Sequence, residues 1–254
     1  MLTDSSHDVA VLLLAAGRGE RMRPLTDHTP KPLLPVRGKP LLQWRMEALL
    51  QGGFHHAVVN TAWLGEQIEA QFGPVFAAPA CSPAPLQLDY SREGRDFGQA
   101  LETAGGVSRA LPKLGEVFWV MAGDVFAPDF VFCRDDVQRF MNSTLLAHIW
   151  LVPNPEHNPA GDFGLDASVG LARNTPKDSE QPRFTFSTIG LYRRELFLPP
   201  WCDTPPGNPQ GTRAALAPLL RAAMDRHRVS AALYTGRWTD VGTRERLAHL
   251  NAAA

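Results

Sequence analysis

The sequence is poor in several features that would define other classes of protein. Only three of its 254 residues are cysteines, an odd number without a C-x-x-C pair, so neither a disulfide framework nor a zinc site is indicated. No apolar run approaches the length of a membrane span. The first eight residues, MLTDSSHD, are too polar and acidic for a signal peptide. We therefore expect a cytoplasmic protein without a membrane partner.

The chain also lacks an excess of charge of either sign. Its 25 Lys and Arg residues are balanced by 26 Asp and Glu residues. A nucleic-acid-binding domain would present a strongly basic face, so no nucleic-acid partner is expected. The length is sufficient to bury a sizeable core in one large domain, which we place at residues 1–254.

Two common phosphate-binding motifs are absent as well. No glycine stands at the spacing of G-x-x-x-x-G-K-[ST], which excludes a Walker-type loop. The dinucleotide fingerprint G-x-G-x-x-G fails because Met22 occupies the third glycine position. The chain is therefore not predicted to be a P-loop NTPase or a dinucleotide-dependent dehydrogenase.

What the chain does contain is a glycine-bearing, cationic segment directly after its first apolar run. Val9–Ala16 reads as a buried strand, and Ala15, Ala16, Gly17 and Gly19 let a ligand approach main-chain N–H groups. Arg21 offers a fork of donors to phosphate and Lys31 a compact charge. The segment predicts a nucleotide-binding loop, and a solvated basic turn is the alternative.

The rest of the chain alternates strands with helices, which favours an α/β fold with a doubly wound, mostly parallel sheet. The predicted strands are His56–Asn60, Leu86–Tyr90, Val117–Ala122, Leu145–Val152 and Phe184–Tyr192. The predicted helices are Pro40–Gln51, Gly65–Phe72, Pro128–Phe140, Ala217–Arg228 and a last one from Thr243, with LETAGG (101–106) as a loop before a short helix.

Asp124 follows the apolar run Val117–Ala122. In open α/β sheets ligands bind outside the carboxyl ends of strands, so this aspartate is placed to hold Mg²⁺ together with substrate phosphates. The alternative is that Asp124 caps the predicted helix Pro128–Phe140.

Five motifs in order carry a family resemblance. They are L-A-A-G-x-G-x-R-M-x-P-L-T, P-K-P-L-L-P-V, E-T-A-G-G, G-D and W-x-D-V-G. This composite resembles the sugar-1-phosphate nucleotidyltransferases. The resemblance implies a Rossmann-like central sheet with a small sugar-binding subdomain. It implies a nucleotide-binding half at about 9–126 and a half for the sugar and the second metal aspartate at about 127–254.

The resemblance also implies roles for individual residues. Arg21 and Lys31 would be catalytic, Asp124 and Asp240 would hold Mg²⁺, and the nucleotide would be bound by Leu14, Ala15, Ala16, Gly17, Gly19, Arg21, Lys31, Glu102 and Gly105. A capping loop around Glu102 and an exposed turn aspartate at Asp240 are the alternatives.

The sugar side departs from the family pattern. The loop PNPEHNPAGDFG contains no lysine where the family often places one on the sugar phosphate, and the chain has only four lysines. The Asn154-Pro155 and Gly161-Asp162-Phe163 arrangement resembles the branch acting on N-acetylmuramate 1-phosphate, which implies that Asn154 and Asp162 contact the sugar. Gly190 would leave room for a close approach beside the sugar pocket. Asn154 and Asp162 could equally be turn residues.

The implied reaction joins UTP to a sugar 1-phosphate to give a nucleotide sugar and pyrophosphate, in cell-wall sugar recycling, by a monomer or homodimer. Because the sugar phosphate already carries a nucleophilic oxygen, no general base is needed. A mannose-1-phosphate guanylyltransferase, a glucose-1-phosphate uridylyl- or thymidylyltransferase, and a non-catalytic nucleotide-binding subunit are the alternatives. The last of these would be expected to lack the metal carboxylates.

Overall fold

A computed structural model describes residues 9–252 of the chain. The predicted lack of a signal peptide concerns residues 1–8, which lie outside the described residues. The strands are β1 Val11–Leu14, β2 Pro35–Val36, β3 Lys39–Pro40, β4 His56–Thr61, β5 Val75–Phe76, β6 Leu86–Arg92, β7 Val117–Ala122, β8 Val125–Phe126, β9 Ala147–Val152, β10 Phe163–Asp166, β11 Leu171–Arg173, β12 Arg183–Arg193, β13 Val229–Leu233 and β14 Thr239–Asp240. The α-helices are α1 Leu25–His28, α2 Leu41–Gln51, α3 Gly65–Phe72, α4 Glu93–Phe97, α5 Glu102–Ala110, α6 Arg134–Met141, α7 Leu216–Met224 and α8 Arg244–Ala252.

Ten strands form one central sheet in the order β10-β11-β13-β9-β12-β7-β1-β4-β6-β5. Strands β7, β1, β4 and β6 are mutually parallel. The buried apolar runs of β1, β4 and β7 are typical of such a sheet, whereas β6 is only half-buried. The second half is mixed, because β12 runs antiparallel between β7 and β9 while β13 is parallel to β9. The predicted α/β class is confirmed, with more antiparallel pairing in the second half of the chain than the sequence indicates.

Helices cover both faces of this sheet. Apolar side chains of α2, α3 and α6 pack on one face around Trp119. Side chains of α5 and α7 pack on the other face around Phe118. This is the double winding that alternating strands and helices require, since each face must bury its own apolar surface.

A third, smaller apolar cluster joins the cationic segment to the end of the chain. It contains Met22, Leu34, Val36, Leu41, Phe126, Val241, Leu247 and Leu250. Trp44 packs edge-on against Phe126 with ring centroids 5.2 Å apart. This cluster fixes α8 and the loop after β1 against the same short strand, β8, and so brings distant parts of the sequence together.

Two predicted elements are wrong in their bounds. Helix α5 begins at Glu102, so the glycines of LETAGG lie within the helix and not in a loop before it. Helix α6 begins at Arg134, whereas a helix from Pro128 was predicted. Phe130 and Phe132 are instead buried against Trp119, and this tertiary packing overrides the local helical pattern.

None of the helices between residues 9 and 252 combines the length and the apolar character that crossing a membrane requires.

Candidate active site

A cleft opens at the carboxyl ends of the neighbouring parallel strands β1 and β7. Leu14 pairs with Ala122 in register, and the next residue, Gly123, donates its N–H to the Leu14 carbonyl at 2.8 Å. A Cβ on Gly123 would lie 2.9 Å from that carbonyl oxygen, so only glycine permits this approach. The cleft holds a cavity of about 430 Å³ whose lining includes Leu14, Ala15, Ala16, Gly17, Lys31, Glu102 and Asp124.

The loop after β1 is folded back on itself by its own side chains. Gly19 has a φ of 68°, and its carbonyl accepts a hydrogen bond from the buried Thr26 hydroxyl at 2.9 Å. Gly19 therefore shapes the loop and is absent from the cavity lining. The Arg18 guanidinium lies 3.8 Å over the Trp63 ring and donates to Asp27, whose pKa it lowers. Arg18 is thus a structural cation of the loop.

Lys31 is the cation at the floor of the cleft. Its side chain is 8 % exposed, and its Nζ lies 2.6 Å from Oδ2 of Asp124 and 4.0 Å from Oδ1 of Asp240. A buried ammonium requires such carboxylate partners, because an unpaired buried charge is costly. The two aspartates predicted as metal ligands therefore meet around one positive charge, although 116 positions separate them in the sequence.

A two-strand ribbon holds the aspartates together. Strand β14 pairs antiparallel with β8, placing Asp240 opposite Val125, and the N–H of Val241 donates to the Asp124 carbonyl at 2.9 Å. The side chain of Arg246, in the first turn of α8, donates to both the carbonyl and Oδ2 of Asp240. The position of the Asp240 carboxylate is thus fixed by backbone pairing and by one arginine.

Arg21 reaches the neighbourhood of Asp240 from the loop after β1, outside the lining of the cavity. A Cβ on Gly242 would lie 2.9 Å from an Nη atom of Arg21, 2.9 Å from one of Arg246 and 3.0 Å from Oδ1 of Asp240. Arg21 is exposed, and within residues 9–252 its guanidinium has no hydrogen-bond or ion-pair partner. The four predicted residues Arg21, Lys31, Asp124 and Asp240 therefore converge, with Arg21 at the rim and its donors free for an anion.

The donor set of Asp124 and Asp240 suits a hard divalent cation, which takes oxygen ligands from one or two carboxylates and completes its shell with substrate phosphates and water. In the described part of the chain, no cluster of three or more His, Cys, Asp or Glu side chains is arranged to hold a metal. An ion bound by two carboxylates alone would depend on substrate for its remaining ligands.

A second cavity of about 430 Å³ adjoins the first. The two share Leu14, Glu102, Thr103, Ala122 and Thr188 in their linings. The remainder of the second cavity is mainly apolar and includes Phe163, Phe186, Tyr192, Leu216 and Leu220. Together the cavities form one continuous recess that runs from the loop after β1 to strands β10 and β12.

Two predicted glycine contacts are corrected by the structure. The N–H of Gly105 donates to the Ala214 carbonyl at 3.0 Å, and its carbonyl accepts from Asn208, so neither group faces the cavity. Gly190 is buried beneath Tyr192, whose ring would lie 2.8 Å from an added Cβ. The close approach at Gly190 is made by a side chain of its own strand and not by a ligand.

The predicted sugar contacts Asn154 and Asp162 are also placed differently. The amide of Asn154 donates to the Arg183 carbonyl at 2.9 Å, and its oxygen accepts from the Thr185 hydroxyl. Oδ2 of Asp162 accepts from the Phe186 N–H at 2.9 Å. Both side chains fasten loop 153–162 to β12 and neither lines the recess, which favours the turn-residue alternative.

The sequence predictions miss several residues of the recess, among them Asn60, Glu93, Thr188 and Arg213. Asn60 and Glu93 are buried polar residues next to the cavity, and each ends or follows a parallel strand, a position that could have indicated them. Arg213 lines the cavity and pairs with Glu102 at 2.9 Å. Thr188 enters both cavities through an irregularity in β12, where its φ is 64°, and no local pattern indicates that geometry.

The fold and the cleft define an α/β enzyme of the nucleotide-binding type, with cations and paired carboxylates at the carboxyl ends of parallel strands. The nucleotidyl transferase family model matches residues 10–193, and the chain belongs to that family. The predicted family resemblance is thereby confirmed.

Individual relatives narrow the comparison. The chain is 44 % identical over 246 residues to N-acetylmuramate alpha-1-phosphate uridylyltransferase of Neisseria meningitidis serogroup B, covering 96 % of this chain and 97 % of the relative. It is 32 % identical over 124 residues to mannose-1-phosphate guanylyltransferase of Mycobacterium tuberculosis, covering 48 % of this chain and 32 % of the relative.

Among solved structures, a candidate glucose-1-phosphate thymidylyltransferase of Bacillus anthracis, in complex with a sucrose, superimposes with a TM-score of 0.73. The superposition covers 97 % of this chain and 95 % of that one at 20 % identity, so it bears on the fold alone.

Proposed function

We propose that this protein transfers a uridylyl group from UTP to N-acetylmuramate 1-phosphate, giving the UDP-sugar and pyrophosphate. The full-length similarity to the Neisseria meningitidis uridylyltransferase supports this substrate pair. The similarity to the guanylyltransferase, which covers 48 % of this chain, is weaker support for a competing pair.

One observation carries the proposal. Lys31 and the carboxylates of Asp124 and Asp240 meet beside a cavity walled by the main chain of Leu14–Gly17. This arrangement offers main-chain groups to a nucleotide, cations to its phosphates and oxygen ligands to Mg²⁺. A non-catalytic nucleotide-binding subunit would have no need to retain both carboxylates in this geometry.

The residues present suit an in-line displacement. An oxygen of the sugar phosphate attacks the α-phosphorus of UTP, and the bond between that phosphorus and the oxygen leading to the β-phosphate breaks, releasing pyrophosphate. Lys31 neutralises charge on the reacting phosphates, and Arg21 offers its free donors to the leaving pyrophosphate. Bound by Asp124 and Asp240, Mg²⁺ would supply further neutralisation of the phosphate oxygens.

We assign the second cavity to the sugar. It adjoins the cavity for the nucleotide, as a sugar phosphate attacking the α-phosphorus requires. The rings of Phe163, Phe186 and Tyr192 offer apolar contact to the acetyl and lactyl carbon atoms of N-acetylmuramate. A hexose with hydroxyls on every carbon would leave more of its polar groups without partners there.

Pyrophosphate release measured over a grid of five nucleoside triphosphates and several sugar 1-phosphates, each with and without Mg²⁺, tests the proposal. We expect UTP with N-acetylmuramate 1-phosphate to give the highest kcat/KM. If pyrophosphate is released only from GTP with mannose 1-phosphate, the proposed substrate pair is wrong while the reaction class stands. Binding of UTP with no release from any pair would instead indicate a non-catalytic subunit.

A further inference from the structure

Glu93 is a buried carboxylate that the proposed mechanism does not use. It lies at the start of α4, directly after β6, and its relative exposure is 0 %. Its Oε1 accepts a hydrogen bond from the Asn60 amide at 2.7 Å, and its Oε2 accepts one from the Leu101 N–H at 2.8 Å. A carboxylate taken out of water is tolerated only with such partners.

Asn60 extends this contact to the loop after β1. Its side-chain oxygen accepts a hydrogen bond from the Ala15 N–H at 2.7 Å. Ala15 belongs to one wall of the nucleotide cavity, and Leu101 directly precedes Glu102 and Thr103 on the other wall. A single chain of buried hydrogen bonds therefore runs from one wall through Asn60 and Glu93 to the other.

We infer that the Asn60–Glu93 pair positions the two main-chain walls that hold the nucleobase, and that it thereby sets the affinity for the nucleotide and the choice of base. The inference rests on the proposed function and adds to it that the base lies between these walls. Main-chain groups read the edge of a base only when they are held within a few tenths of an ångström, because hydrogen bonds weaken steeply with distance and angle. Asn60 and Glu93 are positioning residues and make no contact with the reacting atoms.

Each atom of the pair has a fixed role as donor or acceptor. In Glu93→Gln, the new NH₂ group must face either the Leu101 N–H or the Asn60 amide, so one donor opposes another. In Asn60→Asp, a carboxylate faces a carboxylate. The double variant Asn60→Asp/Glu93→Gln reverses the central hydrogen bond and leaves both main-chain N–H groups with an acceptor.

The experiment compares the wild type, both single variants and the double variant by steady-state kinetics and by calorimetric binding of UTP. We expect each single variant to raise the KM and Kd for UTP about tenfold or more, since a buried donor or acceptor loses its partner. The KM for the sugar phosphate should stay within about twofold, and the preference for UTP over CTP, TTP, GTP and ATP should narrow. The double variant should recover UTP affinity to within about threefold of wild type.

Glu69→Gln is the matched control, because Glu69 pairs with Arg92 outside the cavity, and its UTP affinity should remain that of the wild type. Gly106→Ala disturbs the Asn60–Glu93 pair without changing either of these two side chains. A Cβ there would lie 2.7 Å from Oε1 of Glu93 and 2.9 Å from the Asn60 amide nitrogen, while alanine favours the helix. It should weaken UTP binding in a folded protein even if the single variants do not fold.

A double variant as impaired in UTP binding as the singles would overturn the inference. So would single variants, or Gly106→Ala, that lose thermal stability yet keep the wild-type Kd and base preference, because the pair would then serve only the fold. Failure of the proposed function is distinguishable from failure of this inference. In that case the wild-type protein itself would bind UTP but release no pyrophosphate with any substrate pair.

Discussion

Lys31 is the side chain on which the charge balance of the cleft depends. It lies between two carboxylates, buried and within 4.0 Å of both. Its removal leaves Asp124 without a cationic partner, beside an Asp240 carboxylate that keeps Arg246, and takes a preorganised charge from the reacting phosphates. No other cation of residues 9–252 forms an ion pair with Asp124.

We expect Lys31→Met, which keeps the volume and loses the charge, to lower kcat by about 10²–10³. Single-turnover pyrophosphate release is the measurement. Lys39→Met is the matched control, because Lys39 pairs with Glu47 and lies over the Trp44 ring, away from the cavity. Equal turnover in the two variants would show that the Lys31 ammonium plays no part in the chemistry.

Asp124 is the residue of the cleft whose replacement tests the proposed magnesium site. Asp124→Asn retains the shape of the side chain but weakens an oxygen ligand for a divalent ion, so the Mg²⁺ concentration for half-maximal activity should rise and kcat should fall about 10²–10³-fold. A magnesium titration of activity measures both effects.

Asp129→Asn removes a nearby carboxylate that is paired with Arg237 at the surface, and it should leave the magnesium dependence unchanged. If the activity of Asp124→Asn depends on magnesium as that of the wild type does, Asp124 does not bind the metal ion.

At the scale of elements, the ribbon of β8 and β14 converts the sequence motifs G-D and W-x-D-V-G into one site. Phe126 in β8 is buried in the third apolar cluster, against Trp44 and the residues of α8. It stands two residues after Asp124 and pairs with Thr239, the neighbour of Asp240. Packing at Phe126 therefore holds both carboxylates at once.

Phe126→Ala should cost about 3–5 kcal/mol of unfolding free energy, as other buried phenylalanines do, and should also lower kcat, because the ribbon that carries both carboxylates loses its packing. Urea denaturation and kcat measured where the variant is folded test the two effects.

Phe54→Ala is the control, because it removes an equally buried ring, 2 % exposed, from a different cluster. It should lose comparable stability with kcat within about threefold of the wild type; a matching loss of kcat would mean that general loosening, and not the ribbon, is responsible.

The same elements show what can be read from the sequence. Strands β1, β4 and β7 were predictable because each is a short apolar run buried on both faces, and Asp124 was predictable because it ends one of them. The start of helix α5 at Glu102 was not predictable, since glycine disfavours helices and LETAGG carries two. Residues 105 and 106 of this helix are glycines because segment 212–214 and Glu93 approach closely there, and both contacts depend on the tertiary fold.

At the scale of the whole molecule, the nucleotide side of the recess was predictable and the sugar side was not. Neighbouring parallel strands bring their carboxyl ends to one edge by rule, so the loop after β1 and Asp124 had to meet. The sugar side depends on β12, which inserts antiparallel between β7 and β9 and changes register between Phe186 and Gly190. That irregularity places Thr188 in the recess and turns Gly190 away, and alternation along the strand cannot indicate it.

Stability as a function of pH is a property of the whole molecule, and one half-buried histidine contributes to it near neutrality. His148 lies in β9, in contact with Trp150 and hydrogen-bonded to the Ser230 hydroxyl at 2.8 Å. Burial, aided by the charge of Arg139, lowers the pKa of His148 to about 4. The unfolded chain binds a proton at this histidine below about pH 6.5 and the folded protein does not, so its contribution to stability is complete above pH 6.5 and is lost as pH falls toward 4.

We expect the free energy of unfolding of the wild type to fall by about 2 kcal/mol between pH 7.5 and 5.0 through this group. His148→Gln keeps a hydrogen-bonding group and does not titrate. Its free energy of unfolding, measured by urea denaturation, should therefore fall by about 2 kcal/mol less than that of the wild type over the same pH interval. Burial raises the pKa of Glu93, which gives an opposite slope at the acid end, but it acts equally in both proteins and cancels in the comparison. His249→Gln, at an exposed position of α8, should follow the wild type. Parallel curves for the wild type and His148→Gln would show that His148 is not held neutral by the fold.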